Sequence, residues 1–351
     1  MNKQFKKGIF YLFTSMILLS CSNKKDEKMQ KHTLDGRTQG TYYHIVYYNF
    51  EDKIANSKGT ITSEKVKKGI DSILNAIDAS LYLWNPQSTL SKVNKNKTTS
   101  LDNIFLENFK ASKHFWKLTD GYFDITVAPL IKAYGFANEK RQKLTPEQQV
   151  AIMQYIGFEK VNLIDNKIKK DFEEIQLDFN AIAQGYTTDK ISEYLRKHNI
   201  NSHIVDVGGE VYAAEKKPDG QKWRVAIEEP SDSIDAPREY NSFIKLENQA
   251  IVTSGSYRKF IIEDGVKYSH TINPKTGEAI KHNLLSVSVT AKNATAADAI
   301  ATAFMAMGMD KAKEFIVKNP EYGAFFIFCD DKGKTKTCAT KQIESLIEIV
   351  E

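Results

Sequence analysis

The chain has 351 residues, 41% hydrophobic and 26% charged, an ordinary globular composition with apolar material for one large domain or two small ones. Its formal charge of +5 falls to +2 without the first twenty residues, which hold three lysines and no acid. A nearly neutral body carries no electrostatic footprint for nucleic acid, and nothing in the composition argues for disorder over most of its length.

Lys3, Lys6 and Lys7 precede an apolar run from Gly8 to Ser20, the charged and apolar regions of an export signal. Thirteen residues are too few to span a bilayer as a helix. The run ends Leu18-Leu19-Ser20-Cys21, which resembles the lipobox of bacterial lipoproteins, where the Cys is acylated and begins the mature chain. That resemblance implies a signal peptide over 1–20, a lipid on Cys21, a polar tether over 21–33 and a domain over 34–351. The plainer reading makes Cys21 an accidental thiol.

Further along, alternation predicts strands over 41–48 (TYYHIVYY), 222–229 (KWRVAIEE) and 284–292 (LLSVSVTAK). Helical periodicity predicts helices over 64–82, 102–118, 145–155, 181–198, 294–308 and 310–318. Without the regular alternation of a parallel sheet, α+β is the expected class. Residues 231–242 (SDSIDAPREYNS) read as a loop. FCDDKGKTKTC reads as a hairpin with Gly333 near its tip, compatible with a Cys329–Cys338 disulfide or with two free thiols.

Several residues interrupt these patterns. Trp84 is followed by Asn85-Pro86 at an element end, where a ring packs in the core or stacks on a ligand. Gly185 sits inside a helical pattern at a cost of roughly 1 kcal/mol relative to Ala, which points to tight packing. Gly208-Gly209 follow the strand-like HIVDV and allow close backbone approach. His270, in KYSHTINPKTGE, is an ordinary surface or core histidine or a general base.

The segment AADAIATAF (296–304) poses the sharpest question. Thr295 and Asp298 fit a capping box, and an acid there suits the helix dipole. Yet Asp298 and Thr302 lie only about 40° apart on the helical wheel, opposite Ile300, Phe304 and Met307. Their neighbours Ala294, Ala301 and Met305 are not those of a solvated face. A carboxylate and a hydroxyl one turn apart offer hard oxygen ligands that suit Mg²⁺.

Rossmann, P-loop, HExxH, CxxC and GxSxG signatures are all absent. Taken in order, however, RTQGTYYHI, WNPQSTLSKVN, DGYFDITVAPLIKAYGF, LDFNAIAQGYTTDKISEYL, VDVGGEVYA, TSGSYRKF, YSHTINPKTGE and ATAADAIATAFMAMG resemble the ApbE-like flavin transferases, the FAD:protein FMN transferases. The resemblance runs over roughly residues 34–310. It implies a single α+β, T-fold-like domain with mixed or antiparallel sheets and flanking helices, which binds FAD without a Rossmann fold. It also implies transfer of FMN from FAD to a Thr or Ser hydroxyl of an acceptor protein, with AMP released and Mg²⁺ on the pyrophosphate. By position, the metal ligands are Asp298, Thr302 and the Ala181 carbonyl. The flavin-contacting positions are Gln39, Trp84, Tyr122, Phe123, Asp124, Asp178, Gln184 and Ile272, and His270 is the base towards the acceptor. The expected acceptors are membrane electron-transfer or ion-pumping subunits, reached by an exported, lipid-anchored enzyme.

Many relatives carry Met, Tyr, a charged residue and Asp where this chain has Gln39, Trp84, Gln184 and Asn273. The last two remove charge near the pyrophosphate. The rival readings are an Mg²⁺-dependent FAD pyrophosphatase and a non-catalytic FAD-binding lipoprotein.

Overall fold

A computed structural model describes residues 28–55, 58–97, 100–135, 144–231, 238–256, 260–263, 266–269, 271–280 and 282–350. The leader with Cys21, and His270, lie outside the described residues.

Strands β1 (Gln30–Thr38) and β2 (Thr41–Asn49) form a hairpin. Gln39 (φ 50°) and Gly40 (φ 74°) turn it, both left-handed as a two-residue hairpin of this twist requires. The helical stretch that follows comprises α1 (Asp52–Ala55), α2 (Ser63–Leu81), α3 (Thr89–Asn94), α4 (Asn103–Leu118), α5 (Ala128–Ala133) and α6 (Pro146–Met153). Side chains of Thr62, Ser88, Asp102 and Thr145 cap the first amides of α2, α3, α4 and α6, so these helices start where local chemistry satisfies their orphan donors. A short pair, β3 (Val161–Ile164) and β4 (Lys167–Lys170), precedes α7 (Ala183–Lys197).

Next come β5 (His203–Val207), β6 (Glu210–Ala214), β7 (Trp223–Ile227), β8 (Ser242–Leu246), β9 (Gln249–Gly255), β10 (Phe260–Glu263), β11 (Val266–Ser269) and β12 (Leu284–Ala291). The chain then runs through α8 (Ala294–Met307), α9 (Met309–Lys318), β13 (Gly323–Cys329), β14 (Thr335–Ala339) and β15 (Ile347–Ile349). The main sheet has eight strands in the order β1-β2-β5-β6-β9-β12-β13-β14, every neighbouring pair antiparallel. This is the α+β, non-Rossmann arrangement that the sequence predicts.

Both faces of the sheet's central strands are covered, and alternation along them decides what each side chain meets. Ala250, Val252, Ala324 and Phe326 join the core under α4, α7 and α8. Their neighbours Ile251, Phe325 and Ile327 pack against a small sheet, β15-β8-β7, on the opposite face. On the β1 side, Tyr43, Ile45, Val205 and Val207 meet Val66 and Ile70 of α2 and Ile191 and Leu195 of α7. Between α7 and β5, His203 donates from Nδ1 to the Ile200 carbonyl and accepts from Ser192 Oγ at Nε2, both at 2.8 Å. Burial pulls its pKa down to about 3, so it is neutral in the fold.

Cys329 and Cys338 are free thiols on a β13–β14 hairpin. Cys329 faces Thr335 while Cys338 faces Phe326. Three rungs of roughly 3.3 Å put them beyond the ~7 Å Cα separation that a disulfide tolerates.

Candidate active site at a helix crossing

Helices α7 and α8 cross at Gly185. A methyl group there would collide with the Ala294 carbonyl and stand 2.8 Å from Asp298 Cβ, so only glycine permits the approach. Two carboxylates are exchanged across this contact. Asp298 Oδ2, on α8, accepts the Gly185 amide at 3.1 Å, one of the first amides of α7 and without a partner in its own helix. In return, Asp189 of α7 takes the Ala294 and Thr295 amides, both at 2.8 Å, and the Thr295 hydroxyl at 2.5 Å.

This corrects the reading of Asp298 as a helix cap. The N-cap of α8 is Asn293, whose side chain accepts the Ala296 amide at 2.8 Å. The Thr295 hydroxyl donates to Asp189 instead of closing a box with Asp298, which sits in the second turn. The amphipathic stripe expected for this helix is also absent. Almost every α8 residue is buried, so the helix runs through the core and Asp298 points at another helix.

Asp298 is 4% exposed, and its one hydrogen bond among the described residues comes from Gly185. Burial pushes its pKa up to about 7, and the Asp189 charge adds to the rise against the opposing amide. Buried carboxylates are ordinarily paired with a cation or bound to a metal, and no Lys, Arg or His ion pair reaches Asp298 among the described residues. Thr302 adds a hydroxyl one turn further along α8. The Ala181 carbonyl lies in the turn before α7, and the amide that would normally claim it, that of Gly185, goes to Asp298. One carboxylate, one hydroxyl and one carbonyl form a hard oxygen set, and this set fits Mg²⁺. Among the described residues no cluster of three His, Cys, Asp or Glu side chains offers a rival metal site.

The positions expected to contact the flavin divide into two kinds. Gln39 donates from Nε2 to Thr187 Oγ1 at 2.7 Å, which ties the β1–β2 turn to the first turns of α7. Gln184 lies against the β5–β6 turn, where a Cβ on Gly208 would come 2.6 Å from Gln184 Nε2. These two therefore join Ala181 and Asp298 around the start of α7. Trp84 presents a ring 57% exposed after α2, and Tyr122 is partly exposed. Lys275 and Lys311 flank Tyr122, their Nζ atoms 4.7 and 5.1 Å from its ring centre. A cavity of about 470 Å³ opens beside it, between Trp116, Gly121, Pro274 and Lys275, and excludes Asp298 and Thr302 from its lining.

Phe123, Asp124 and Ile272 turn their side chains inward. Phe123 packs in the main core, and Ile272 packs with Leu130 and Ile156. Both Asp124 oxygens are engaged, by the Thr126 amide and hydroxyl at 2.8 and 2.6 Å and by the Phe158 amide at 3.0 Å. Burial pushes the Asp124 pKa up to about 6. Asp178 accepts the Asn180 amide at 2.8 Å and so shapes the turn that presents Ala181.

The turn after His270 is docked on α5 and α6. Tyr134 Oη donates to the Gly277 carbonyl at 3.0 Å and Gln149 Nε2 to the Thr276 carbonyl at 2.9 Å, while Gly277 (φ 72°) leaves no room for a Cβ beside Met153 Sδ.

Sequence reasoning missed Asp189, Asn293 and Thr187. Asp189 had a visible signal, since it lies four residues after Gly185 and thus on the same face of α7.

The ApbE family matches over residues 39–326. The chain is 32% identical over 341 residues to the FAD:protein FMN transferase of Haemophilus influenzae, covering 94% of this chain and 95% of that protein. It is 33% identical over 302 residues to that of Vibrio cholerae, covering 85% and 86%. Among solved structures, the flavin transferase ApbE from Vibrio cholerae superposes with a TM-score of 0.78 at 31% identity, over 91% of this chain and 99% of that one.

Proposed function

The chain belongs to the ApbE family, and from that premise we propose that it moves the FMN half of FAD onto a Thr or Ser hydroxyl of an acceptor protein in an Mg²⁺-dependent reaction. The observation that carries the metal is the buried Asp298 carboxylate, set beside Asp189 with no cationic partner among the described residues.

The acceptor oxygen attacks the FMN phosphorus, the bond from that phosphorus to the bridging oxygen breaks, AMP leaves with the electron pair, and the acceptor proton passes to a base. By resemblance that base is His270. Asp298, Thr302 and the Ala181 carbonyl would hold Mg²⁺, which neutralises charge on the pyrophosphate and the leaving AMP. Gln39 and Gln184 lie at the same end of α7 and carry neutral amide groups. The fixed crossing supports this role, because in-line attack depends on positioning.

Asp298→Ala tests the reading. FAD binding, followed by flavin fluorescence, stays largely intact, while Mg²⁺-dependent appearance of covalent flavin on an acceptor in a denaturing gel is lost. Full transfer by this variant refutes the metal assignment, and free FMN formed at the same rate without acceptor makes the enzyme a hydrolase.

The leader supports an exported protein anchored through a lipid on Cys21, acting on acceptors at the membrane surface. Cys21→Ser moves the protein from the membrane to the soluble fraction; unchanged fractionation rejects the anchor.

A further inference from the structure

Resting on the Mg²⁺ reading above, we propose that Asp189 is a positioning residue. It fixes α8 along α7 so that Asp298 and Thr302, on one helix, stand against the Ala181 carbonyl at the start of the other.

All three donors to the Asp189 carboxylate lie in the first turn of α8. With the Asn293 side chain on Ala296 and the Asn293 carbonyl on Ala297, every early amide of α8 has an acceptor. The Asp189 part of that set comes from α7, so it fixes one helix relative to the other and not merely the end of α8. The return bond from Gly185 to Asp298 closes the loop in the opposite direction. A slip of α8 by one residue, ~1.5 Å along its axis, breaks the Asp189 bonds and the Gly185 bond together. The same slip moves Asp298 and Thr302 away from Ala181, because the ligand set is split between the two helices. Glycine at 185 adds to the need for such a lock, since a crossing without a side chain offers no knob to resist sliding.

A carboxylate that only capped α8 would affect folding and leave the metal requirement alone. The test compares wild type with Asp189→Asn, which keeps size and loses charge, and Asp189→Glu, which keeps charge and changes reach. Thr295→Val removes a single donor and serves as the milder variant should either Asp189 change prevent folding. Each protein is assayed for FAD affinity in EDTA, for the Mg²⁺ concentration at half-maximal turnover, and for the Mg²⁺-induced rise in Tm with FAD bound. Both Asp189 variants are expected to need about tenfold more Mg²⁺ or beyond, the size of effect seen when groups that orient metal ligands are altered. Their Tm increment shrinks, and FAD affinity in EDTA stays near wild type. Thr295→Val shifts the requirement in the same direction by a smaller factor. Folded variants with a wild-type Mg²⁺ requirement overturn the proposal, as does an Asp189→Glu variant that matches wild type while Asp189→Asn fails, since charge alone then suffices. If wild type itself responds to Mg²⁺ in neither turnover nor Tm, the metal reading falls and this proposal with it.

Discussion

Gly185 shows how a single residue decides the site. In sequence it is only a helix position that costs roughly 1 kcal/mol relative to Ala. In the fold, its missing Cβ lets α8 approach until Asp298 reaches the Gly185 amide. Gly185→Ala should therefore destabilise the protein by about 1–3 kcal/mol through overpacking, despite the propensity gained, and lower transfer activity more than FAD binding. Urea unfolding measures the first effect, and equal or greater stability would contradict the crossing geometry. Asp298 is the complementary case. Its chemistry was legible because a carboxylate and a hydroxyl one turn apart are visible in any helix. Its structural partner was not, because a bond between residues 113 apart leaves no local pattern.

Elements were more legible than the contacts between them. The helices expected over 64–82, 102–118, 294–308 and 310–318 appear as Ser63–Leu81, Asn103–Leu118, Ala294–Met307 and Met309–Lys318, since each carries a long periodic signal. The strand expected over 284–292 appears as Leu284–Ala291. The reading failed where local rules compete with tertiary partners. Thr295 and Asp298 satisfy the capping-box spacing, yet α8 starts on Asn293 and draws its remaining acceptors from Asp189. A helix with its first amides served by another helix needs no box of its own, so Asp298 is released to face the crossing. The same limit hid the inward turn of Phe123, Asp124 and Ile272. Nothing local in DGYFDIT says which side chains face inward, but beside the 3₁₀ turn at Ile125–Val127 Phe123 is buried and Asp124 is spent on Thr126 and Phe158. The Cys329–Cys338 alternatives were likewise open until the strand register separated the two thiols.

At the scale of the whole molecule, two of the buried titratable groups, His203 and Asp124, pull stability in opposite directions as pH changes. His203 has its pKa lowered from 6.5 to about 3 by burial, so the folded state resists its protonation. Its contribution is complete above pH 6.5 and is lost as pH falls towards 3. Asp124 has its pKa raised from 3.8 to about 6, again by burial, so the folded state favours its protonated form. Its contribution is present below pH 3.8 and is lost as pH rises through about 6. Over the shared window near pH 4 to 6 the two slopes oppose each other, each approaching ~1.4 kcal/mol per pH unit at its steepest. Acidification there costs the fold one proton refused at His203 and returns one accepted at Asp124. Substituting either residue should remove its own slope from the total. Relative to wild type, His203→Gln gains stability as pH falls from 6 to 4, and Asp124→Asn loses it. Other titrating groups act alike in all three proteins, so differences between their urea unfolding curves at pH 4.5, 5.5 and 6.5 isolate these two. Curves that run parallel across that range would mean that neither group is held in the protonation state its burial dictates.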